Sequence, residues 1–357
     1  MRNQLKRLLT PVVNRLLTEK LPASAAPADP RPAVYGRILE TRPVPMPAQS
    51  DVELHMLVSE RDFLRSIWAL KSFFHYSGIP ARLVIQSDGS LTPASLDHYR
   101  EHFPGCVIHA DHDQVVRDAL VGHPLCQFFL GHHAISKKLL HPLLLSRAEY
   151  LLIMDSDILW FRNSDAIADC VRDRVPFFVD GGAEAYARNR RYMETSLDLH
   201  PARNVNSGMI GYRRTAFLDL PFIEDALRKL ADVPRDQLLD SIGYVDAYVD
   251  VHAEDVRATL CWWVMEQTIY ALLLGRDQRH RPVRSWSQWS PFRRMAETHQ
   301  FTDSPVMKKT AMIHYISDAA HNRFFPAGVE HLLRRGCLTE WCSPGRLDTP
   351  SSGERPH

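Results

Sequence analysis

One short stretch near the middle of the chain restricts the fold more than any other feature. Residues 150–154 form an unbroken apolar run, and Asp155, Ser156 and Asp157 follow at once. An apolar run that does not alternate with polar residues predicts a strand buried on both faces, as in the parallel sheets of α/β proteins. Ligands of such sheets bind outside the carboxyl ends of the strands. The stretch therefore predicts an α/β fold with a binding site directly after this strand.

Strands and helices alternate around this run. Apolar segments predict six strands, at residues 52–58, 81–85, 106–109, 150–154, 176–179 and 209–212. Helices are predicted over residues 62–76 and 134–146, and a further one begins at residues 92–93. Short connections between alternating elements indicate a mixed, mostly parallel sheet with helices on both faces.

The sequence divides into four parts. Residues 1–20 predict a basic amphipathic helix, residues 21–50 a proline-rich linker, residues 51–340 the α/β domain and residues 341–357 a C-terminal tail. The helix has two interpretations, because it can lie on an anionic membrane surface or dock on its own domain. Pro11 interrupts the helical pattern and favours docking.

Composition excludes several classes of protein. Of the 357 residues, 45% are hydrophobic and 24% are charged, which is typical of a globular chain. A net charge of +1 without a long basic block gives no indication of a nucleic-acid partner. The six cysteines are irregularly spaced, and no secretory signal is recognised. We therefore expect free thiols and a cytoplasmic location, with peripheral membrane contact through the N-terminal helix as the alternative.

The two carboxylates after the strand predict a cation site. Asp155 and Asp157 are two residues apart, so their side chains point to the same side of an extended chain. Without a basic neighbour they repel one another, and a cation between them would relieve that repulsion. Oxygen ligands suit Mn²⁺ or Mg²⁺, which also bind phosphate oxygens. The alternative is a solvated turn that happens to contain two acids.

Residues 150–161 resemble the metal-binding strand end of glycosyltransferases with the GT-A fold. Four further segments agree with that class in order and spacing: residues 136–139, 206–210, 266–267 and 314–315. The likeness spans about residues 52–335, and the motifs look most like those of the glycogenin-like and bacterial lipopolysaccharide sugar transferases. Two departures stand out. Glu266 occupies a position where Asp is usual, and no Gly-Lys-Pro-Trp type segment follows His314.

The resemblance implies transfer of a sugar from a nucleotide-diphosphate sugar, with UDP as the nucleotide, to an acceptor hydroxyl. It implies three groups of residues. The implied metal ligands are Asp155, Asp157 and His314. The implied donor-binding residues are Val58, Ser59, Asp88, Lys138 (or Lys137), Asp155, Ser156, Ser207 and Gly208. The implied catalytic residues are Glu266, Gln267 and Asn206, with Asn206 and Ser207 directed at sugar hydroxyls.

Other interpretations of these residues stay open. Ser59 is equally suited to cap a helix, and Asp88 to form an ordinary turn. An inactive sugar-binding scaffold of the same fold, or a metal-dependent phosphohydrolase or nucleotidyltransferase, would also place acids at a strand end. The polar, arginine-rich residues 181–203 are expected to form a lid over the site.

Overall fold

The computed structural model describes residues 31–47, 49–181, 184–232, 264–278, 282–287, 310–315, 324–337 and 341. Contacts divide the chain into two units, Met1–Arg37 and Ile38–His357. The predicted helix over residues 1–20 lies outside the described residues, as does the predicted tail apart from Trp341. Within the predicted linker, Arg31–Gly36 form a helix and Arg37–Glu40 a 3₁₀ turn.

The described residues contain nine strands and twelve α-helices. The strands are β1 Val52–Val58, β2 Arg82–Ser87, β3 Val107–His109, β4 Tyr150–Met154, β5 Ile158–Trp160, β6 Phe177–Asp180, β7 Val205–Arg213, β8 Arg284–Ser287 and β9 Met312–His314. The helices are α1 Arg31–Gly36, α2 Phe63–Tyr76, α3 Pro93–His102, α4 Asp113–Ala119, α5 Pro124–His132, α6 Ser136–Leu145, α7 Asp165–Arg172, α8 Arg190–Ser196, α9 Arg214–Phe217, α10 Leu220–Ala231, α11 Met265–Gln278 and α12 Phe325–Arg334. Among these helices, none combines the length and the apolar character needed to cross a bilayer.

Seven strands form one sheet in the order β3-β2-β1-β4-β7-β6-β8. β1 is parallel to β2 and β4, β2 to β3, and β6 to β8, whereas β7 runs antiparallel to both β4 and β6. The predicted α/β class with a mixed, mostly parallel sheet is confirmed. β5 and β9 form a separate antiparallel pair.

The strand order places a crevice between β1 and β4. The chain moves outward from β1 to β2 and β3, and then returns to place β4 on the other side of β1. Such a reversal of strand order is a topological switch point, where the carboxyl ends of the strands leave room for a ligand. Val58 ends β1 and Met154 ends β4, so both strands deliver their next residues to this crevice.

The central strand β4 is buried on both faces, as its sequence predicts. Leu151 and Ile153 belong to a core cluster that also contains Leu140 of α6 and Leu273 of α11. Leu152 and Met154 alternate with them and so point to the opposite face, where they are buried as well. Because β4 is packed on both faces, its backbone is held in place, and so is the backbone of the acids that follow it.

Much of the segment expected to form a lid, residues 181–203, packs into the core, and its closure over a donor stays a prediction. Tyr186 donates a hydrogen bond to the Ala202 carbonyl (2.5 Å) and accepts one from the Val205 amide (3.0 Å). The Arg188 side chain is buried and donates to the Leu230 carbonyl at 3.1 Å. Met193 is buried in the same core cluster as β4. Although the segment is polar in composition, a few of its apolar and arginine side chains are buried and hold it in the core.

Candidate metal centre

The backbone after β4 is held by two other strands. The antiparallel pairing of β4 with β7 places Met209 opposite Met154, and the Asp155 amide donates to the Gly208 carbonyl at 2.8 Å. The pairing of β5 with β9 places His314 opposite Ile158, next to Asp157. Three segments that are far apart in the sequence therefore meet at the carboxyl end of β4.

Asp155, Asp157 and His314 form a group able to hold a metal ion. Each offers one ligand atom, and these three atoms lie within 4.8 Å of one another. His314 Nε2 is 3.0 Å from Asp157 Oδ1 and 3.6 Å from Asp155 Oδ2. Burial alone would lower the pKa of His314, but the charges of Asp157 and Asp155 outweigh it and raise the pKa above its usual value.

The three residues fit a divalent cation. Two carboxylate oxygens and one imidazole nitrogen lie within 4.8 Å of one another, and this donor set suits Mn²⁺ better than a thiolate-seeking metal. Gly208 leaves the space that the imidazole needs, since a Cβ at that position would clash with His314 Cε1 and Nδ1. The glycine thus makes room for the histidine ring, and its implied contact with a bound donor stays a prediction.

A buried lysine lies beside the group. Lys138 Nζ is 2.6 Å from Asp155 Oδ1, 3.2 Å from Ser207 Oγ and 3.6 Å from Glu266 Oε1. Burial would lower the pKa of Lys138, but the carboxylates of Asp155 and Glu266 raise it above the usual value, so the lysine is charged. Lys137, the other lysine that the sequence left open, pairs instead with Asp113 at 3.0 Å.

Glu266 is the buried acid of the site. The Ser207 hydroxyl donates to Glu266 Oε2 at 2.9 Å, and among the described residues Oε1 accepts no hydrogen bond. Burial raises the pKa of Glu266 to about 7, and the nearby charge of Asp155 adds to this shift although Lys138 opposes it. Its protonation therefore changes close to neutral pH.

The side-chain amide of Gln267 is occupied at both ends. Oε1 accepts from the Ser207 amide at 3.0 Å, and Nε2 donates to the Ala185 carbonyl at 2.7 Å. Gln267 thereby connects β7 to the segment before α8. Its predicted role toward the sugar stays a prediction, and in the structure its contacts support the backbone of Ser207.

The remaining predicted donor-binding residues lie at the carboxyl ends of β1 and β2, apart from Ser156, which lies half-buried between the two acids. The Asp88 amide donates to the Val58 carbonyl at 3.1 Å. Asp88 Oδ1 accepts from the Ser90 amide at 2.8 Å, and the Ser59 hydroxyl donates to Asp62 at 2.9 Å. These contacts shape the turns next to the crevice, on the same edge of the sheet as the acids.

Two tyrosines form hydrogen bonds next to Lys138, and nothing in the sequence predicts this role. Tyr270 donates from its hydroxyl to the Lys138 carbonyl at 2.9 Å, and the Tyr212 hydroxyl lies 3.4 Å from that of Tyr270. Both lie in apolar stretches, where a tyrosine is as well suited to packing as to hydrogen bonding. Only the meeting of α6, α11 and β7 gives their hydroxyl groups a partner.

Glu266→Gln is expected to gain stability relative to the wild type as the pH rises. The native state keeps the Glu266 proton up to about pH 7, because its pKa is raised to about 7 from the usual glutamate pKa of 4.5. Between these values the native state binds more protons than the unfolded chain, so wild-type stability falls as the pH rises through this window. Because glutamine cannot ionise, the variant does not lose this stability as the pH rises. Urea unfolding at pH 5 and pH 8 measures the effect, and an equal difference between the two proteins at both pH values would contradict the raised pKa.

Comparison with known proteins finds likeness at the level of structure. No protein-family model and no curated protein sequence matches the chain. The chain is similar to the apo form of mouse xyloside xylosyltransferase 1, with 12% identity over 78% of this chain and 99% of that chain and a TM-score of 0.45. It is similar to the galactosyltransferase LgtC in complex with donor and acceptor sugar analogues, with 14% identity over 84% of this chain and 98% of that chain and a TM-score of 0.45.

A third similar structure is the apo form of the bifunctional glycosyltransferase WbbM, with 11% identity over 81% of this chain and 51% of that chain and a TM-score of 0.46. All three are glycosyltransferases, the class that the sequence motifs resemble. At these identities and scores the likeness assigns no substrate and no residue to this chain.

Proposed function

We propose that this protein is a metal-dependent glycosyltransferase that moves a sugar from a nucleoside-diphosphate sugar, with a UDP-sugar as the first choice, to an acceptor hydroxyl. The observation that carries the proposal is the group of Asp155, Asp157 and His314 at the switch point between β1 and β4. The resemblance of residues 150–161 to the metal-binding strand end of GT-A enzymes supports it as well.

Asp155, Asp157 and His314 would hold a divalent cation, Mn²⁺ or Mg²⁺. When bound, such a cation neutralises the charge of the departing nucleoside diphosphate as a Lewis acid. Lys138 holds Asp155 through a 2.6 Å ion pair and so fixes the direction of one ligand. Because Lys138 is charged, it also reduces the excess of negative charge that would otherwise repel a diphosphate.

The protein also offers a group for proton transfer. Glu266, with its pKa at about 7, gains or loses a proton near neutral pH, which is what a general acid or base requires. The turns after β1 and β2, with Ser59 and Asp88, lie on the same edge of the sheet and are proposed to receive the nucleoside. Lys138 Nζ contacts both Asp155 Oδ1 at 2.6 Å and Glu266 Oε1 at 3.6 Å, and so connects the proposed metal ligand to the proposed proton-transfer group.

A turnover panel tests this proposal. The purified protein is incubated with UDP- and GDP-sugars, with and without Mn²⁺, and the products are identified by mass spectrometry. We expect release of an intact nucleoside diphosphate that requires Mn²⁺, stops with a chelator and returns when Mn²⁺ is added back. Nucleoside diphosphate with Mn²⁺ should also raise the melting temperature, since a ligand at 100 times its Kd stabilises the native state by about 2.7 kcal/mol.

Two results would contradict the proposal. Cleavage within the diphosphate, releasing a sugar phosphate or inorganic phosphate, would indicate a phosphohydrolase or nucleotidyltransferase. Neither a thermal shift nor turnover with any nucleoside diphosphate would indicate a scaffold without enzymatic activity.

A further inference from the structure

We propose that Asn206 is a positioning residue whose side-chain carbonyl fixes the orientation and tautomer of the His314 imidazole, so that Nε2 is the nitrogen offered to the cation. This inference rests on the proposed function, because it concerns a ligand of the same metal site. It gives Asn206 a role different from the contact with sugar hydroxyls that the resemblance implies.

The hydrogen bonds of Asn206 define which atom donates. Asn206 Oδ1 lies 2.8 Å from the Gly208 amide, which can only donate, so this oxygen is an acceptor. The same oxygen lies 3.1 Å from His314 Nδ1. A ring nitrogen facing an acceptor at that distance carries a hydrogen. In the neutral imidazole, the lone pair is then on Nε2, the nitrogen that faces Asp157 and Asp155.

Strand pairing alone leaves the ring undetermined. The pairing of β9 with β5 fixes the backbone of His314 opposite Ile158. Rotation of a histidine ring about its last torsion is broad and roughly two-fold, so the backbone does not decide which nitrogen faces the acids. A side-chain acceptor on one side of the ring makes that choice, and metal-binding histidines generally have such a partner.

The same short part of β7 also holds the first acid. The Gly208 carbonyl accepts from the Asp155 amide at 2.8 Å, and the Asn206 side chain contacts His314. Residues 206–208 therefore link the ligand that follows β4 to the ligand on β9. The spacing between the two ligands is set by β7, which supplies no ligand itself.

The contacts of Asn206 also occupy the side-chain oxygen to which a sugar hydroxyl could donate. A carbonyl oxygen has two lone pairs, and the Gly208 amide and His314 Nδ1 use both. The acceptor end of the Asn206 amide is therefore occupied before any substrate arrives.

Binding of Mn²⁺ alone to the full chain tests the inference. Asn206→Ala and Asn206→Leu remove the acceptor, and the leucine variant preserves bulk in case the alanine variant does not fold. Asn206→Asp is the matched control, because its carboxylate still places an acceptor oxygen where Oδ1 of Asn206 stands. Affinity is measured by titration followed by EPR, and pulsed EPR detects the nitrogen of a bound imidazole. His314→Ala gives the spectrum without that nitrogen.

We expect the alanine and leucine variants to bind Mn²⁺ about 10- to 100-fold more weakly, the usual loss when the partner of a metal-binding histidine is removed. Their nitrogen signal should fall toward that of His314→Ala, whereas Asn206→Asp should keep both affinity and signal. Wild-type affinity and nitrogen signal in both variants would overturn this inference alone. Equal losses in all three Asn206 variants would overturn it too, because space and not the acceptor would then matter. A wild type that binds no Mn²⁺ would overturn the metal site, and with it both this inference and the proposed function.

Discussion

Asp157→Asn is expected to abolish the proposed Mn²⁺-dependent sugar transfer while leaving the fold in place. Asp157 Oδ1 faces His314 Nε2 at 3.0 Å, so this oxygen stands where the ligand atoms converge. Asparagine keeps the shape but removes the charge. Loss of a ligand should exceed the roughly 10- to 100-fold cost of losing a ligand's supporting partner. Initial rates of nucleoside diphosphate release, measured across Mn²⁺ concentrations, report the effect.

The melting temperature of Asp157→Asn should change little, because the repulsion with Asp155 disappears together with the ion pair to His314. Asp173→Asn is the control, since Asp173 is an exposed acid just after α7 that pairs with Arg172. It should behave like the wild type in both measurements. If the Asp157→Asn variant keeps half of the wild-type activity, Asp157 is not a metal ligand.

Gly208→Ala is expected to displace the His314 ring and so to weaken Mn²⁺ binding at the candidate metal site. The new Cβ would clash with the His314 ring and would lie 2.8 Å from Asn206 Oδ1, so the ring must leave its present position. Forcing an extra methyl group into such a packed position costs about 1–3 kcal/mol of stability. We expect a lower melting temperature together with a loss of Mn²⁺ affinity, on the order of 10- to 100-fold. Thermal unfolding and Mn²⁺ titration of the same preparation measure both.

Gly131→Ala is the matched control for this substitution. Gly131 lies in the last turn of α5, where a Cβ would meet the Arg117 guanidinium at an ordinary 3.4 Å. Alanine is favoured over glycine within a helix by roughly 0.5–1 kcal/mol, so this variant should be as stable as the wild type or more so. Unchanged Mn²⁺ affinity and melting temperature in Gly208→Ala would mean that the imidazole does not occupy the space beside residue 208.

The features of this fold that could be predicted are those that residues adjacent in the sequence determine. The burial of residues 150–154 follows from their apolar side chains alone. The acids directly after them must therefore lie at the end of that strand. The two predicted roles of Gly208 and Asn206 illustrate the opposite case. The resemblance predicts that both residues approach a donor sugar, but it does not predict their contacts with His314, which arise only when β7 and β9 meet. Nothing near position 208 in the sequence specifies that meeting.

Residues 181–203 show a second limit of prediction. Their polar composition favours an exposed lid, because hydrophobic periodicity is the main signal of burial and this segment has none. Tyr186 and Met193 are nevertheless buried, since single apolar side chains reach the core from irregular backbone. The Tyr186 hydroxyl is satisfied by the backbone of Ala202 and Val205, partners that no local pattern reveals.

The position of His314 on β9 has a consequence for the order of events during synthesis. The acids after β4 leave the ribosome long before the histidine does, and the strands from β1 to β7 precede it as well. A growing chain can thus assemble most of its sheet while the ligand group is still incomplete. A cation held by all three residues would require the finished chain and would favour the docked state of β9 by mass action.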